Sequence, residues 1–199
     1  MVNVTTEQPL ESTVSRIPRL DSDAKSDLKE TIKQVESSMG YIPNDLLTLA
    51  HWPDMVPALG SLVSVVLGGG TVDGGLKRLI GIVASGTHGC QYCKAHASYA
   101  ASKLDVSTDK IEHVFEFETS PRFTTQERIA LRLAWHGSLQ PNAISDADMA
   151  EARQHFSDSE IIEITSVISL YGFLNRCNSI LATELEPQPA SFLDSLNAN

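Results

Sequence analysis

Two cysteines and a histidine lie close together in the segment GCQYCKAH, residues 89–96. Cys90 and Cys93 are three residues apart, and His96 follows three residues after Cys93. On an α-helix, residues at this spacing lie about 60° apart around the axis and about 4.5 Å apart along it. Their sulfur atoms are then within reach of a disulfide after a small adjustment. The spacing therefore predicts a reactive pair of thiols with an imidazole beside it.

The position of the pair favours thiolate chemistry. Gly89 predicts the end of one helix and the start of another at Cys90, and the positive end of a helix favours the thiolate form. The His96 imidazole favours the thiolate further and can carry its proton. The segment thus offers a nucleophile, a resolving thiol and a base, which are the groups that peroxide reduction or disulfide exchange requires.

Two other interpretations of the pair remain open. A structural zinc site usually takes four ligands from two such pairs; here only His96, His88 and Cys177 are available to complete one. Haem attachment requires a histidine directly after the second cysteine, and Lys94 excludes it. The pair can also be two small core residues, since buried cysteines are common. The redox hypothesis is preferred over both, because the spacing and the histidine occur together.

The elements that position the pair are predicted to be helical. Leu76, Leu79, Ile80 and Val83 form one apolar stripe at helical spacing before the cysteines. Further helices are expected from 23–40, after Asn44, from Pro57 to Leu67, and in segments that start with Ser or Thr. The β-branched run 161–167 is compatible with a strand, but the apolar segment around it is too long for one, and Ser157 or Ser159 can begin a helix there. No alternating strand pattern occurs elsewhere in the chain. The predicted fold class is all-α, a single-domain helical bundle of seven or eight helices.

Composition limits the classes of partner. A chain of 199 residues suits one domain, and a net charge of −10 argues against a nucleic-acid groove or an anionic membrane surface. No signal peptide is expected at the N-terminus, and no apolar run reaches the roughly 18 residues of a spanning helix. A cytoplasmic protein is therefore expected, in which three cysteines are kept reduced and do not form a disulfide framework.

The segment LKRLIGIVASGTHGCQYCKAHASYAA, residues 76–101, resembles the signature helix pair of the carboxymuconolactone decarboxylase and alkylhydroperoxidase D-like superfamily. The flanking segments RIPRL, MGYIPNDLLTLAHWPDM and GFLNRCNSILATELE are similar to its peroxidase-related members. The resemblance covers 17–186, which is predicted to be the helical domain. Residues 1–16 are predicted to be a flexible arm and residues 187–199 a C-terminal tail.

The resemblance implies a thiol-dependent peroxidase, an antioxidant oxidoreductase that reduces hydroperoxides through a dithiol–disulfide cycle. Cys93 would be the attacking thiolate and Cys90 the resolving thiol, because His96 is nearer to Cys93, although the helix dipole alone favours Cys90. His96 would be the proton shuttle. No metal or organic cofactor is implied, whereas an unidentified thiol electron donor is. Family members are often trimers or hexamers, so a homo-oligomer is expected.

Three positions depart from the family pattern. The family's relay glutamate lies twelve residues before the first cysteine, where this chain has Arg78, which cannot act as a base at neutral pH. Tyr92 stands between the cysteines where the mycobacterial-type enzyme has histidine. Many members also place the histidine one residue after the position of His96. The Arg78 departure favours the alternative function, a non-enzymatic redox sensor or structural helical oligomer.

Other polar residues are candidates for supporting roles. Glu163 and Glu160 can replace the missing glutamate by residue type alone, and His88 can tune the thiolate from two residues before Cys90. The decarboxylase members of the superfamily lack the cysteine pair, so lactone decarboxylation is less expected for this chain than peroxide reduction.

The polar residues Asn175, Arg176 and Asn178 interrupt an otherwise apolar helix. Arg176 either lines a pocket or pairs with an acid across a subunit boundary. A buried polar network that fixes the helix register is the alternative.

Overall fold

The computed structural model describes residues 15–22 and 28–197, and within them the chain forms ten α-helices and no β-strand. The predicted arm, except for residues 15 and 16, lies outside these ranges, as does the first part of the helix predicted from residue 23. The all-α prediction is confirmed. The helices are α1 (Lys29–Met39), α2 (Asn44–Leu49), α3 (Met55–Gly68), α4 (Gly74–Thr87), α5 (Gln91–Ser102), α6 (Thr108–Glu112), α7 (Thr125–Ser138), α8 (Asp146–His155), α9 (Asp158–Leu181) and α10 (Pro187–Asn197). A short 3-10 helix, Val114–Glu116, follows α6.

Side-chain caps fix where several of the helices begin. Thr124, Ser145 and Ser157 each accept a hydrogen bond from the third residue of the following helix, whose acidic side chain bonds back to the cap amide. The Asp73 carboxylate likewise accepts a hydrogen bond from the third residue of α4, at the Leu76 amide. The β-branched run 161–167 accordingly lies inside α9, where the cap at Ser157 predicts a helix.

Three details differ from the prediction. Ten helices replace seven or eight, and the helix that the sequence did not predict is α10, in the segment expected to be a tail. Pro43, and not Asn44, precedes the first residue of α2, and the Asn44 side-chain amide donates instead to the Glu184 carbonyl at 2.9 Å. The segment predicted as a C-terminal tail contains α10, which packs against α5 through apolar side chains such as Phe192.

Helix α4 lies at the centre of the core and packs against α5, α7 and α9. The predicted stripe Leu76, Leu79, Ile80 and Val83 is buried. Gly81 allows α9 to approach closely, since a Cβ atom there would lie 2.2 Å from the Tyr171 ring. The face of α4 that carries Gly81 therefore meets α9 directly.

A buried ion pair joins α4 to α9 and to the loop before α4. The Lys77 side chain is 1% exposed, with its ammonium 3.1 Å from the Glu163 carboxylate and also bonded to the Gly69 carbonyl. Glu163 accepts hydrogen bonds from the amides of Thr71 at 2.9 Å and Val72 at 3.1 Å. Burial raises the pKa of Glu163, but these amides and Lys77 outweigh it and lower the pKa to about 2. Glu163 is thus engaged in holding the fold.

In the part of the chain that the structure describes, no helix combines the length and apolar character needed to cross a membrane.

Candidate active site

The two cysteines lie at the start of α5. Gly89 turns the chain out of α4 with φ 71°, and Cys90 follows in an extended conformation just before the helix. The Cys90 amide donates to the Ser85 carbonyl at 2.9 Å, which anchors this turn. Cys93 lies in the first turn of α5, and both cysteines are free thiols, 3% and 4% exposed. The structure therefore brings the predicted pair together at a helix N-terminus.

The two thiols differ in acidity. The pKa of Cys90 is lowered to about 7, and the largest cause is the interaction with the Cys93 thiol. Burial raises the pKa, but the backbone amides of Cys93 and Tyr92 and the Ser179 hydroxyl lower it further. The Cys90 sulfur makes no capping hydrogen bond of standard geometry, so these amides act on it mainly as dipoles. The pKa of Cys93 is raised by the bond with Cys90, by burial and by the charge of Asp45. The pair therefore holds its proton on Cys93 and its negative charge on Cys90.

Helix α9 supplies an amide to Cys93. The Asn178 Nδ2 lies 3.4 Å from the Cys93 sulfur and 3.3 Å from an oxygen of the Asp45 carboxylate. Burial raises the pKa of Asp45, and the charge of Glu186 raises it further, while His96 and Asn178 oppose them. Asn178, one of the polar residues that interrupt the apolar helix, thus links the thiol pair to a partly buried acid on α2.

His96 lies beside a carboxylate. Its Nε2 atom is 2.6 Å from Glu186 Oε2, and its Nδ1 atom is 3.1 Å from the Tyr41 hydroxyl. The Tyr92 ring stacks on the imidazole at 4.3 Å between centroids, and its hydroxyl donates to Glu186 at 2.8 Å. Among the hydrogen bonds of the described residues, none joins His96 to either sulfur. The tertiary structure therefore places Tyr92 and His96 together around Glu186.

The sequence did not single out Glu186 or Asp45. Glu186 lies in the segment between α9 and α10, 90 residues from His96, and is 4% exposed. Burial raises its pKa, but the bonds from His96, Tyr92 and the Asn44 amide lower it overall. Asp45 has the position of an ordinary acid in a first helical turn. No local pattern distinguishes either residue, because their partners come from distant segments.

Arg78 binds a buried tyrosine, Tyr171. It forms a hydrogen bond with the Tyr171 hydroxyl. Burial raises the pKa of Tyr171, Arg78 lowers it, and the charge of Cys93 raises it. The Arg78 Nε atom is buried without a hydrogen-bond partner among the described residues. Arg78 and Cys93 thus both act on Tyr171, and among the hydrogen bonds of the described residues none joins Arg78 to a sulfur.

Neither of the two acids proposed to replace the relay glutamate, Glu163 and Glu160, is bonded to the thiols. Glu163 binds Lys77 and the loop before α4, and Glu160 completes the capping box at the start of α9. The acids that influence the acidity of the pair or of its neighbours are Asp45 and Glu186.

His88 ends α4 and joins a polar network with α9. The Asn175 Nδ2 lies 2.9 Å from His88 Nδ1, and the Asn175 Oδ1 accepts a bond from the Ser85 hydroxyl at 3.0 Å. These contacts form the register-fixing network that the sequence suggested as an alternative. The Arg176 Nη1 donates to the Gly172 carbonyl, one turn earlier in the same helix, at 2.8 Å.

The zinc alternative requires further ligands at the thiols. Within the described residues, the one cluster of three potential metal ligands consists of Asp109, Glu112 and His113, away from the cysteines. The structure does not gather Cys177, His88 or His96 around Cys90 and Cys93. The arrangement is instead that of two buried free thiols of unequal acidity at a helix start, which suits two-electron redox chemistry.

The chain is similar in sequence to a known family and to a bacterial relative. Residues 53–135 match the model of the carboxymuconolactone decarboxylase family. The chain is 26% identical over 142 residues to the protein YnjA of Escherichia coli (strain K12), which covers 69% of this chain and 78% of YnjA.

Solved structures are similar over almost the whole chain. The apo debrominase Bmp8 is 30% identical, with a TM-score of 0.85 over 93% of this chain and 100% of Bmp8. A cysteine-to-alanine variant of Bmp8 in complex with 2,3,4-tribromopyrrole has a TM-score of 0.84 over 90% of this chain and 96% of that one. A peroxidase-related protein from Ralstonia eutropha JMP134, with an alkylhydroperoxidase AhpD core, is 21% identical and has a TM-score of 0.80, over 92% of this chain and 96% of that chain. This last likeness concerns the fold alone.

Proposed function

This chain belongs to the carboxymuconolactone decarboxylase family, and on that basis we propose that it is an oxidoreductase in which Cys90 and Cys93 cycle between two thiols and a disulfide. The observation that carries the proposal is the unequal acidity of the pair. A thiolate with a pKa near 7 is available at neutral pH, and a protonated partner lies beside it. The preferred substrate class is an organic hydroperoxide.

The reaction has two steps. In the first, the Cys90 thiolate attacks the peroxide, so that an S–O bond forms, the O–O bond breaks and Cys90 becomes a sulfenic acid. The departing alkoxide takes the proton of Cys93 and leaves as the alcohol. In the second, the Cys93 thiolate attacks the Cys90 sulfur, the S–S bond forms, and hydroxide leaves and is protonated to water. A dithiol donor then reduces the disulfide and is itself oxidised.

This order of attack is the reverse of the one predicted from the sequence. That prediction rested on the nearness of His96 to Cys93, whereas the His96 imidazole bonds to Glu186 and Tyr41. The lowered pKa of Cys90 supports Cys90 as the nucleophile. In this proposal His96 and Glu186 position α5, and Asp45 and Asn178 set the acidity of Cys93.

The proposal is tested with reduced protein and cumene hydroperoxide. We expect a Cys90–Cys93 disulfide in peptide mass spectra, and continued loss of peroxide when a dithiol reductant is present. The Cys93→Ser variant should stop after one turnover with a sulfenic acid at Cys90, and Cys177→Ser should behave as the unaltered protein. Rapid oxidation of the pair without sustained turnover would instead support the redox-sensor alternative. Cysteines that stay reduced, or that oxidise once and slowly, would support the structural alternative.

A second candidate is reductive dehalogenation, which the 30% identity to the debrominase Bmp8 over nearly the full chain favours. The Cys90 thiolate would attack the halogen of a brominated aromatic ring, forming S–Br while the C–Br bond breaks and the carbon takes a proton. Attack by Cys93 would then form the disulfide and release bromide. Bromide release from 2,3,4-tribromopyrrole without comparable loss of peroxide would favour this candidate.

The predicted homo-oligomer remains a prediction. On α9, Ile162, Phe173 and Ile180 form an exposed apolar stripe at helical spacing. Light scattering of the purified protein would show whether it is a trimer or hexamer, as the family resemblance implies, or a monomer.

A further inference from the structure

Both cysteines of the pair are closed off from solvent, at 3% and 4% exposed. In the proposed function a peroxide must contact the Cys90 sulfur, and afterwards a thiolate of the donor must attack one sulfur of the disulfide. Two cavities, of about 290 and 240 Å³, lie in the described part of the chain, and neither is lined by a cysteine. A part of the structure next to the pair must therefore move before either reaction takes place.

The first turn of α2 lies next to Cys93. The Asn178 Nδ2 atom is 3.4 Å from the Cys93 sulfur and 3.3 Å from the Asp45 carboxylate, so one nitrogen atom contacts both groups. The Asp45 amide donates to the Tyr92 hydroxyl at 3.2 Å, and Tyr92 directly precedes Cys93 in α5. Helix α2 therefore packs onto the helix that carries the thiols, at the position of Cys93.

Helices α1 and α2 are built around a small hydrophobic cluster of their own. Its buried members are Leu28, Ile32, Leu47, Ala50 and Val56. Both cysteines and the central helix α4 belong to a separate and larger cluster, here called the main core. A satellite cluster of this kind forms a unit that can open while the rest of the fold stays intact. Residues 28–50, here called the N-terminal unit, are such a satellite.

Hydrogen bonds hold the N-terminal unit next to the pair. The Asn44 amide donates to the Glu186 carboxylate, and the Asn44 side chain donates to the Glu184 carbonyl at 2.9 Å. The Tyr41 hydroxyl lies 3.1 Å from His96 Nδ1, and the two rings meet edge to face at 5.6 Å between centroids. Water replaces each of these hydrogen bonds when the unit moves away, so separating the unit costs less than exposing an apolar interface.

We propose that the N-terminal unit is a lid over the thiol pair, which opens at the contacts of Tyr41, Asn44 and Asp45 to admit the peroxide and then the dithiol donor. This inference rests on the proposed function, because only a pair that reacts needs access. Opening leaves the thiols in place, since both cysteines belong to the main core. Glu186 is the central contact of the closed lid, because it accepts from Asn44 in the lid and from Tyr92 in α5.

The segment 16–20 tethers the lid to the end of α9. The Leu20 amide donates to the Leu47 carbonyl at 3.3 Å, and the Arg16 amide donates to the Leu181 carbonyl at 2.8 Å. The chain on the other side of the lid continues directly into α3. The lid is thus connected at both ends, so it stays near the pair when the contacts around Asn44 break.

A proline at the first position of α2 weakens the closed lid without breaking the helix. Asn44→Pro removes both hydrogen bonds of Asn44 to the segment before α10. A proline is tolerated at the first helical position, and Pro43 already has the extended conformation, with ψ 136°, that a following proline requires. Asp146→Pro is the matched control, because Asp146 is the exposed first residue of α8 and also follows an extended residue.

The labelling test measures access to Cys90 with a large thiol reagent, fluorescein maleimide, over a range of pH. Peptide mass spectra assign the label. In Asn44→Pro we expect the plateau rate at Cys90 to rise at least about tenfold, as for the loss of a hydrogen bond to a charged group. The midpoint near pH 7 should not move, because access and not acidity changes. Asp146→Pro should match the unaltered protein, and equal plateau rates in all three proteins would overturn the lid.

Amide hydrogen exchange of the unaltered protein, followed by NMR, tests the lid without any substitution. The Asn44 and Asp45 amides lie in the first turn of α2, where the helix offers no carbonyl, and they donate to Glu186 and Tyr92. We expect both amides to exchange at least about 100-fold faster than the buried amides of α4, since lid opening needs less free energy than global unfolding.

The exchange result separates the lid from the proposed function, because it does not depend on turnover. Fast exchange at Asn44 and Asp45 in a protein that turns over no peroxide would overturn the proposed function and leave the lid standing. Peroxide turnover in a protein whose Asn44 and Asp45 amides exchange as slowly as those of α4 would overturn the lid and leave the proposed function standing.

Discussion

The His96 imidazole lies 2.6 Å from the Glu186 carboxylate, across 90 residues of chain, and both side chains are largely buried. Glu186 also accepts bonds from the Tyr92 hydroxyl and the Asn44 amide. One carboxylate thus joins α2, α5 and the segment before α10. In the proposed mechanism, this contact holds the helix that carries the thiols.

Replacing Glu186 with Gln should destabilise the protein. The substitution keeps the shape of the side chain but removes the charge that pairs with His96 and accepts from Tyr92. We expect the free energy of unfolding in urea to fall by about 2 kcal/mol, which is typical for hydrogen bonds to a charged group. Glu184→Gln, at an exposed position two residues away, is the matched control and should change stability by less than about 0.5 kcal/mol. Equal stabilities of the two variants would show that the contact contributes nothing to the fold.

Alkylation of the thiols should depend on pH through the acidity of Cys90. Because its pKa is lowered to about 7, the rate of reaction with iodoacetamide should rise as pH increases through about 7. Peptide mass spectra should show the label on Cys90 first. Cys93→Ala removes the largest cause of the lowered pKa and should move the midpoint to higher pH. Labelling of Cys93 first would reverse the proposed order of attack.

Asn178→Ala should slow the closure of the disulfide. Asn178 lowers the pKa of Cys93, so its loss leaves less Cys93 thiolate to attack the sulfenic acid. We expect the second step to slow by about 3- to 10-fold, as for one lost hydrogen bond, in stopped-flow measurements after a single addition of peroxide. Thr165→Ala removes a hydroxyl that bonds only to its own helix and should leave this rate unchanged. An unaltered rate in Asn178→Ala would exclude this role.

Glu163→Ala should destabilise the fold without changing the thiols. It leaves the Lys77 ammonium buried and unpaired, so we expect a loss of about 3 kcal/mol in urea unfolding at neutral pH. The exposed pair Lys33–Glu30 provides the control, and Glu30→Ala should cost less than about 0.5 kcal/mol. Iodoacetamide labelling of Cys90 should match that of the unaltered protein.

The contribution of Glu163 should also depend on pH. Its folded pKa of about 2 is below its ordinary value of 4.5, so the stabilisation is fully present above that value and is lost as pH falls towards about 2. The difference between the unaltered protein and Glu163→Ala should therefore be smaller at about pH 3 than near neutral pH. A difference that does not change with pH would show that the carboxylate charge is not its source.

The sequence alone determined most of the helices and the position of the cysteine pair. Ser157 and Thr124 predict helix starts because their side chains satisfy backbone amides within one turn, and Gly89 predicts the turn before Cys90. The apolar stripe of α4 predicts which face is buried. These features are local, so a single sequence contains the physics that decides them.

Only the tertiary structure decided which groups surround the pair. Asn178 and Asp45 reach it from segments far apart in the chain, whereas Glu186 bonds to its neighbours Tyr92 and His96. Glu163, a candidate by type, is held instead by Lys77. The relative acidity of Cys90 and Cys93 follows first from their interaction with each other, which is local, and then from burial and from donors on α9, which spacing within one helix does not specify. Periodicity fixes the face that a residue shares with its neighbours, whereas packing of distant helices fixes what that face meets.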